Sequence, residues 1–364
     1  MKEFFIHLKK LDWALISSAL FLAVIGLISI YSSSLSGSDF LNFKKQVIFL
    51  IIGLFLMLVF SFFNWRVFKD NPYLILFLYF LCFLALAGLF FFATEIRQVK
   101  SWYKFGPFVF DPKVFTMLVL IILLAKFFST RHIEMYQIRH ILLSGVYVFL
   151  PASLIFLQPD FGSFLIFVFL WTAILIISGI KLRHFLILVL AGLIFLIFSW
   201  SFLLKDYQKD RIISFVQPQA DPQGMGWSQQ QAKIAIGSGG IFGKGIGRGS
   251  QTQYGFLTVP QTDFIFSAIA EEMGFVGILV LLTIFSVLIL RIFKIAMSAE
   301  SNFPRLFAVG LAAILIPQVF INIGMNLGLL PIIGIPLPLV SYGGSGLVAI
   351  FMGLGILQSI RIKR

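Results

Sequence analysis

The sequence predicts an all-α polytopic integral membrane protein with about ten transmembrane helices, and three observations lead to that prediction. Of the 364 residues, 59% are hydrophobic and only 12% are charged, whereas a soluble domain is about 25% charged. Apolar runs recur along nearly the whole chain at about the 20 residues that a helix needs to cross a bilayer. The net charge of +13 comes from Lys and Arg near the ends of these runs, which favours a membrane surface and argues against nucleic acid as a partner.

Polar, glycine or proline residues end each apolar run and so define ten candidate spans. The first run is about 20 residues long, which exceeds the apolar region of a signal peptide, so we expect it to be retained. The larger share of the Lys and Arg falls on one side of the spans, and the positive-inside rule then places both termini in the cytoplasm. The predicted spans are Trp13–Tyr31, Gln46–Phe63, Tyr73–Ala93, Val114–Phe128, Ile141–Leu157, Gly162–Ile180, His184–Leu204, Phe264–Leu290, Leu306–Leu329 and Leu339–Ile360.

One connection is much longer than the others. Residues 205–262 are predicted to form a polar extracytoplasmic loop between the seventh and eighth spans. A loop of this length inside a compact protein is usually functional. No internal repeat is visible, so the inverted-repeat architecture of many transporters is not supported. Residues 1–364 are therefore treated as a single membrane domain.

A glycine-dense stretch, Gly237–Gly249, is the first candidate site in this loop. Its backbone N–H groups could converge on an anion, and Lys233, Lys244 and Arg248 add positive charge. It is not a Walker A loop, because Gly245 follows Lys244 where Ser or Thr is required. The alternative is a re-entrant loop in which the glycines only allow tight packing.

Acidic residues at the start of the eighth span form the second candidate. Asp263 could serve as a general base or metal ligand at the membrane interface, although an N-cap of the helix is the alternative. Glu271 and Glu272 lie about two turns inside the same span. Such buried acids require partners, so a structural ion pair and a proton relay both remain open.

The last outer loop, from Leu330 to Gly346, contains three prolines followed by several glycines. Irregular backbone at membrane depth is tolerated where it is buried in protein or lines a wet cavity. We prefer a cavity wall, with simple helix packing as the alternative. The four histidines show no ligand spacing, so no zinc site is predicted.

Taken together, these stretches resemble the SEDS family (shape, elongation, division, sporulation) over essentially the full length. The blocks that carry the resemblance share the family's residues in the family's order. They are Arg211–Trp227, Gln230, Ala235–Gly240, Gly243–Gly245, Thr262–Phe266, Glu271-Glu272, Asn322–Met325, Gly328–Pro331 and Pro336–Gly344, with Gln158–Asp160 and Asp12-Trp13 as weaker matches.

The resemblance implies an inverting glycosyltransferase that polymerises lipid II into peptidoglycan strands during cell elongation, with undecaprenyl pyrophosphate as the leaving group. It implies that the active site faces outward from the bacterial cytoplasmic membrane and that Asp263 is the catalytic aspartate. Substrate contacts are expected from Asp160, Arg211, Gln230, Lys233, Ser238, Gly239, Gly240, Lys244 and Ser341.

The same resemblance implies partners. They are lipid II itself, a class B penicillin-binding protein acting as transpeptidase, other proteins of the elongation complex, and membrane lipids. No residue is predicted to ligate a metal, although a divalent cation such as Mg²⁺ or Mn²⁺ could assist the pyrophosphate. Short terminal extensions favour an elongation-type member over a septal one.

The chain also departs from the family pattern. The family's Gln-Pro-Ser-Glu before the fourth span is Asp111-Pro112-Lys113-Val114 here, and a lysine three residues after that glutamate is Met117. Joint loss of both charges is expected for an ion pair, since a lone buried charge is costly. The other departures are Ser101 before Trp102, Thr258-Val259 for Pro-Glu, and Gln261 for a histidine.

Two other functions remain open. A lipid flippase or transporter would also fit ten spans with interior acids, although the polar motifs gather on one face and not at the midplane. A catalytically weakened scaffold of the elongation or division complex is the second alternative, because several charged positions of the family are replaced.

Overall fold

Fifteen helices and one short β-hairpin form the part of the chain that the structure describes, a computed structural model covering residues 2–93, 102–106, 108–131, 138–202, 206–217 and 224–363. The hairpin pairs β1 (Tyr103–Phe105) with β2 (Phe108–Phe110) in antiparallel fashion. The helices are α1 (Lys2–Lys10), α2 (Trp13–Leu35), α3 (Leu41–Phe62), α4 (Arg66–Asp70), α5 (Pro72–Phe92), α6 (Pro112–Arg131), α7 (Ile138–Leu157), α8 (Phe161–Ile177), α9 (Leu182–Phe202), α10 (Asp206–Val216), α11 (Met225–Ser238), α12 (Ser250–Gln253), α13 (Ile265–Met297), α14 (Asn302–Leu327) and α15 (Gly344–Ile362).

Each of the ten predicted spans corresponds to one of these helices, so the all-α polytopic fold is confirmed. Within the described ranges, nine helices are long and apolar enough to cross a bilayer, namely α2, α3, α5, α6, α7, α9, α13, α14 and α15. The remaining span is α8, which is apolar over 17 residues. The predicted last span starts too early, because Pro336 and Pro338 keep the segment before Gly344 out of the helix.

Helix α14 lies at the centre of the bundle and contacts α6, α8 and α13. Its side chains Phe303 and Phe307 are fully buried. A second contact layer joins α15 to α3 and α13 to α2. Helix α9 differs, because nearly all its large apolar side chains are exposed, as is expected of a helix whose surface faces lipid.

The two termini of the described chain meet at one end of the bundle. The backbone N–H of Asp12 donates to Gln358 at 2.9 Å, and the Asp12 carboxylate lies 3.4 Å from Arg361. The same carboxylate caps α2 by accepting from the N–H of Leu15. The expected placement of both termini on one side is therefore present in the geometry, and the compartment that this side faces stays a prediction.

Much of the segment predicted as a long loop is helical. Helices α10, α11 and α12 all fall within residues 205–262, at the end of the bundle opposite the termini. Helix α11 contacts α13 and α14, with Ala232 and Ala235 buried against them. Tertiary contacts therefore stabilise helices that the polar composition of this segment did not predict.

Candidate active site

A cavity of about 730 Å³ opens at the end of the bundle where α10 and the turn before α13 lie. Its deeper wall is apolar and comes from α6 and α14, through residues such as Leu118, Ile121 and Leu315. Its polar rim comes from the connections between the helices. The charged and polar residues on this rim include Asn42, Asp111, Lys113, Asp160, Arg211, Gln261, Asp263 and Ser341. The predicted residues Asp160, Arg211, Asp263 and Ser341 are thus brought together in one cavity.

Asp263 lies in the turn that precedes α13 and lines the cavity. The helix begins at Ile265, its N-cap residue is Phe264, and no side-chain hydrogen bond caps it. The alternative reading of Asp263 as an N-cap is therefore wrong. The carboxylate is placed in the cavity wall instead.

Two fully buried asparagines of α14 hold the backbone at this turn. The Nδ2 atoms of Asn322 and Asn326 donate to the carbonyl of Asp263 at 3.2 and 2.9 Å. The Oδ1 atom of Asn326 also accepts from the N–H of Ser267 on α13. Because these amides bond the backbone carbonyl, they fix the position of Asp263 at the cavity rim.

Arg211 of α10 reaches the same region. Its Nη1 donates to the carbonyl of Ile333 at 3.0 Å. The next residue, Gly334, has a φ of +81°, and a Cβ added to it would lie 3.9 Å from Asp263 Oδ2 and 4.0 Å from Arg211 Nη1. A carboxylate and a guanidinium therefore border the space beside one glycine, where a larger residue would be strained by its backbone conformation.

Ser341 connects the last loop to the segment before Asp263. Its hydroxyl donates to the carbonyl of Thr262 at 2.7 Å and accepts from the N–H of Leu337 at 2.8 Å. Its own carbonyl accepts from Gln46 of α3. These bonds brace the cavity rim from three elements.

Asp160 is the centre of a second charged cluster that lines the cavity. Its carboxylate caps α8 by accepting from Ser163 and forms an ion pair with Lys113, which also lies 3.6 Å from Asp111. Burial opposes ionisation of Asp160, but Lys113 and Ser163 hold the pKa of its carboxyl below the ordinary value. For Asp111, burial outweighs Lys113 and raises the pKa above the ordinary value.

The other predicted substrate contacts lie outside the cavity. Helix α11 places Gln230, Lys233 and Ser238 on one exposed side. Gly239, Gly240 and Lys244 follow in the glycine-rich segment. None of the six residues lines the cavity that contains Asp263, and a substrate role for them stays a prediction.

The glycine-rich segment, Gly237–Gly249, supplies hydrogen-bond acceptors at a break in α13. At Gly274 the backbone has a φ of +66° and leaves the helix. The N–H of Phe275 donates to the carbonyl of Gly240 at 2.9 Å. The N–H of Val276 donates to that of Ile241 at 3.1 Å. Backbone groups freed at membrane depth must find such partners.

Close approach to α13 explains the glycines of this segment. A Cβ at Gly239 would lie 2.0 Å from the carbonyl oxygen of Ala270, and one at Gly243 would lie 2.2 Å from that of Glu272. No larger residue fits at either position without moving the backbone. These contacts are what the tight-packing alternative for the glycines predicts.

Glu271 anchors the same segment. Its side chain is fully buried, lies 2.8 Å from Lys244 Nζ, and accepts from the N–H groups of Gln251 and Thr252. The ion-pair alternative is thus what the geometry presents for Glu271. Its neighbour Glu272 accepts from the hydroxyl of Ser32 at 2.5 Å.

The family model of the FtsW, RodA and SpoVE cell cycle proteins matches residues 10–364. The chain belongs to this family. The SEDS resemblance carried by the sequence motifs is thereby confirmed.

Members of the FtsW/RodA/SpoVE family match along most of the chain. The peptidoglycan glycosyltransferase MrdB of Escherichia coli (strain K12) is 37% identical over 332 residues, which is 91% of this chain and 88% of the relative. The stage V sporulation protein E of Bacillus subtilis (strain 168) is 34% identical over 359 residues, which is 96% of each chain.

Solved structures share the fold. A chain of a peptidoglycan synthase complex, described as coordinating polymerisation and crosslinking, superposes with a TM-score of 0.83 at 30% identity, over 97% of this chain and 98% of that one. The rod shape determining protein RodA of Thermus thermophilus superposes with a TM-score of 0.70 at 28% identity, over 97% of each chain.

Departures from the family pattern line the cavity at Asp111, Lys113, Val114, Met117, Val259 and Gln261. Val259, in place of the family's glutamate, has a φ of +52°, which is strained for a β-branched residue. Leu339, which belongs to a block that matches the family, also lines the cavity and has a φ of +66°. Backbone strain of this kind gathers at functional sites. The departure at Ser101 lies outside the described residues.

Sequence reasoning missed Lys113 and Asp111 as site residues. Both were noticed only as departures from the family pattern, and the prediction was that a charge pair had been lost. The signal that could have found them is the pair of charges flanking Pro112 at the start of a span. Such charges need partners near the membrane, and the structure supplies Asp160.

Proposed function

We propose that this chain is a peptidoglycan glycosyltransferase that polymerises lipid II into glycan strands during cell elongation and shape maintenance. Membership in the family and relatives such as MrdB, named a peptidoglycan glycosyltransferase, support the activity. The observation that carries the site is the cavity that joins Asp263 and Arg211 at its rim to apolar walls below.

In this mechanism Asp263 is the general base. The 4-hydroxyl of the acceptor sugar attacks the anomeric carbon of the donor, a bond forms from that oxygen to the carbon, and the bond to the pyrophosphate breaks. The hydroxyl proton passes to the Asp263 carboxylate. One displacement inverts the anomeric carbon, so no covalent nucleophile is needed.

Arg211 is the proposed cation for the leaving group. Undecaprenyl pyrophosphate leaves with developing negative charge, which a positioned guanidinium stabilises. The apolar walls from α6 and α14 suit the lipid chain that remains attached to the pyrophosphate. Asp160 and Ser341 line the same cavity and are proposed to contact the substrate.

A divalent cation, Mg²⁺ or Mn²⁺, would neutralise part of the charge on the pyrophosphate when bound. Among the described residues, no three His, Cys, Asp or Glu side chains come together as a metal-binding group. No step of the mechanism is assigned to such an ion.

The proposed surroundings follow from the activity. The chain is a multi-pass membrane protein, and we place it in the bacterial cytoplasmic membrane with the cavity on the extracytoplasmic face. A class B penicillin-binding protein would crosslink the strands, as the similar synthase complex couples polymerisation to crosslinking. Other elongation-complex proteins and membrane lipids complete the proposed partners.

The test is polymerisation of fluorescent lipid II by the purified protein with its cognate transpeptidase. Wild type should yield glycan ladders, and Asp263→Asn should yield none while folding normally, because the amide keeps the shape but cannot accept the proton. Asp39→Asn is the matched control, since Asp39 is exposed and bonds only the N–H of Leu41 among the contacts described. Full activity of Asp263→Asn would refute the base, and an inactive, folded wild-type complex would favour the scaffold alternative.

A further inference from the structure

The charged cluster of Asp111, Lys113 and Asp160 holds a lysine that the mechanism has not used. Lys113 Nζ lies between the carboxylates of Asp160 and Asp111, and its side chain is 5% exposed. The two carboxylates are 19% and 20% exposed and both line the cavity. The ring of Trp102 lies 5.5 Å from the same ammonium, a distance that suits a cation–π contact.

Lys113 lies one helical turn before Met117, the position at which the family has a lysine. Residues 113 and 117 are both in α6, and residues four apart face the same side of a helix. Met117 and Val114, which replace the family's lysine and glutamate, line the cavity beside Lys113. One turn amounts to about 5.4 Å along the axis, which the flexible four-carbon stem of a lysine can cover.

We propose that Lys113 is a positioning residue for Asp160, and that Lys113 with Asp111 replaces, from one turn earlier, the charge pair of the family at positions 114 and 117. The inference rests on the proposed polymerase function and deepens it. In this proposal the ion pair is retained, but it is formed by residues one helical turn earlier.

The physical reason lies in the two carboxylates. Without Lys113, Asp111 and Asp160 would share a largely desolvated space with no cation between them, which disfavours ionisation of both. Asp160 would keep Ser163, whose N–H donates to Oδ1 and whose hydroxyl donates to Oδ2, but Oδ2 would lose its bond to the ammonium. The carboxylate would then be held less firmly, and without the charge of Lys113 beside it, at the position where it is proposed to meet the substrate.

The experiment moves the lysine along the helix. Lys113→Met should raise the KM for lipid II and lower kcat/KM by about a hundredfold, the cost of misplacing a site group by about 1 Å. Lys113→Met combined with Met117→Lys should recover at least about tenfold of that loss, because the ammonium returns from the same face of α6. Lys126→Met is the matched control, as Lys126 lies at the other end of α6 and bonds the carbonyl of Lys69.

The outcomes separate the two proposals. An inactive wild-type complex refutes the polymerase function, whatever the variants do. An active wild type with an unchanged KM in Lys113→Met overturns the positioning role. If Lys113→Met fails to fold, Lys113→Arg decides, because a retained cation should preserve activity and a folded but inactive Lys113→Arg overturns the inference. A double variant that folds without any recovery overturns the relocation.

Discussion

Glu271 gives the sharpest test of how the glycine-rich segment is held. Its Oε1 accepts from Lys244 Nζ at 2.8 Å and from the N–H of Gln251 at 2.9 Å, and its Oε2 accepts from the N–H of Thr252 at 3.0 Å. The hydroxyls of Ser250 and Thr252 add two further bonds. The carboxylate therefore supports five donors from one segment.

The expected loss of stability follows from the number of buried donors that a substitution leaves without an acceptor. Glu271→Gln keeps one oxygen and replaces the other with an amino group that cannot accept, so at least one buried N–H loses its partner. A buried unsatisfied donor costs about 1–3 kcal/mol, and the lost charge pair with Lys244 adds to this. Lys244 is 29% exposed, so water offsets part of that second cost. We expect Glu271→Gln to lower the free energy of unfolding by about 2–4 kcal/mol.

Two further variants should lose more and less stability, respectively, than Glu271→Gln. Glu271→Ala removes all five bonds and should lower the stability more. Lys244→Met should lower it less, by about 1–2 kcal/mol, because the carboxylate keeps its two N–H donors. The same assay should give Glu300→Gln the wild-type midpoint, since Glu300 is exposed between α13 and α14.

The assay is the thermal midpoint of the detergent-solubilised protein, followed by size-exclusion chromatography after heating. Among the variants, the midpoint should be highest for Lys244→Met, lower for Glu271→Gln and lowest for Glu271→Ala. A wild-type midpoint for Glu271→Gln would refute the anchoring role. A wild-type midpoint for Lys244→Met together with a raised KM for lipid II would show that Lys244 meets the substrate, as its family motif predicts.

Three further predictions test the topology and the backbone. In a Cys82→Ala background, Tyr254→Cys should be labelled by a membrane-impermeant maleimide on intact cells, because Tyr254 is 78% exposed near the cavity end; labelling only after lysis would reverse the orientation. Val259→Gly should raise the thermal midpoint, since it relieves about 1–2 kcal/mol of left-handed backbone strain, and a lower midpoint would contradict that. Gly274→Ala should prevent correct folding, because its Cβ would lie 2.2 Å from a backbone nitrogen of the glycine-rich segment. A normal elution profile after purification would contradict the close packing of this segment against α13.

The span count was predictable because it depends on local composition. A run of about 20 apolar residues has few alternatives to a membrane helix, and each predicted span is a helix in the structure. The exact ends were not predictable, because they depend on tertiary contacts. Helix α13 shows this, since it continues to Met297 through the break at Gly274.

The relation between the glycine-rich segment and α13 could not be read from the sequence. Its glycines suggested an anion site equally well, because glycine suits both a close backbone approach and an anion cradle. Only the structure shows the carbonyls of Gly240 and Ile241 accepting from the two residues after Gly274. Long-range pairing of this kind leaves no local signature.

The charged cluster shows the same limit for the site. Lys113 and Asp160 are 47 positions apart, and the family pattern shows only that the charges at positions 114 and 117 are absent. A comparison position by position does not show that a long side chain one turn earlier reaches the same partner. Side-chain direction along a helix decides which residues meet.

Within the proposed mechanism, this cluster also decides which cation serves the leaving group. Lys113 lies between two carboxylates, so a pyrophosphate would have to compete with Asp111 and Asp160 for its charge. Arg211 donates to the carbonyl of Ile333 and borders the same glycine as Asp263. Proton acceptance and stabilisation of the departing charge are then assigned to neighbouring groups, while the Lys113 cluster holds another part of the cavity rim in place. If Lys113 served the leaving group instead, the substrate would have to break the contacts of Lys113 with Asp111 and Asp160 before reacting, and breaking a buried ion pair is costly.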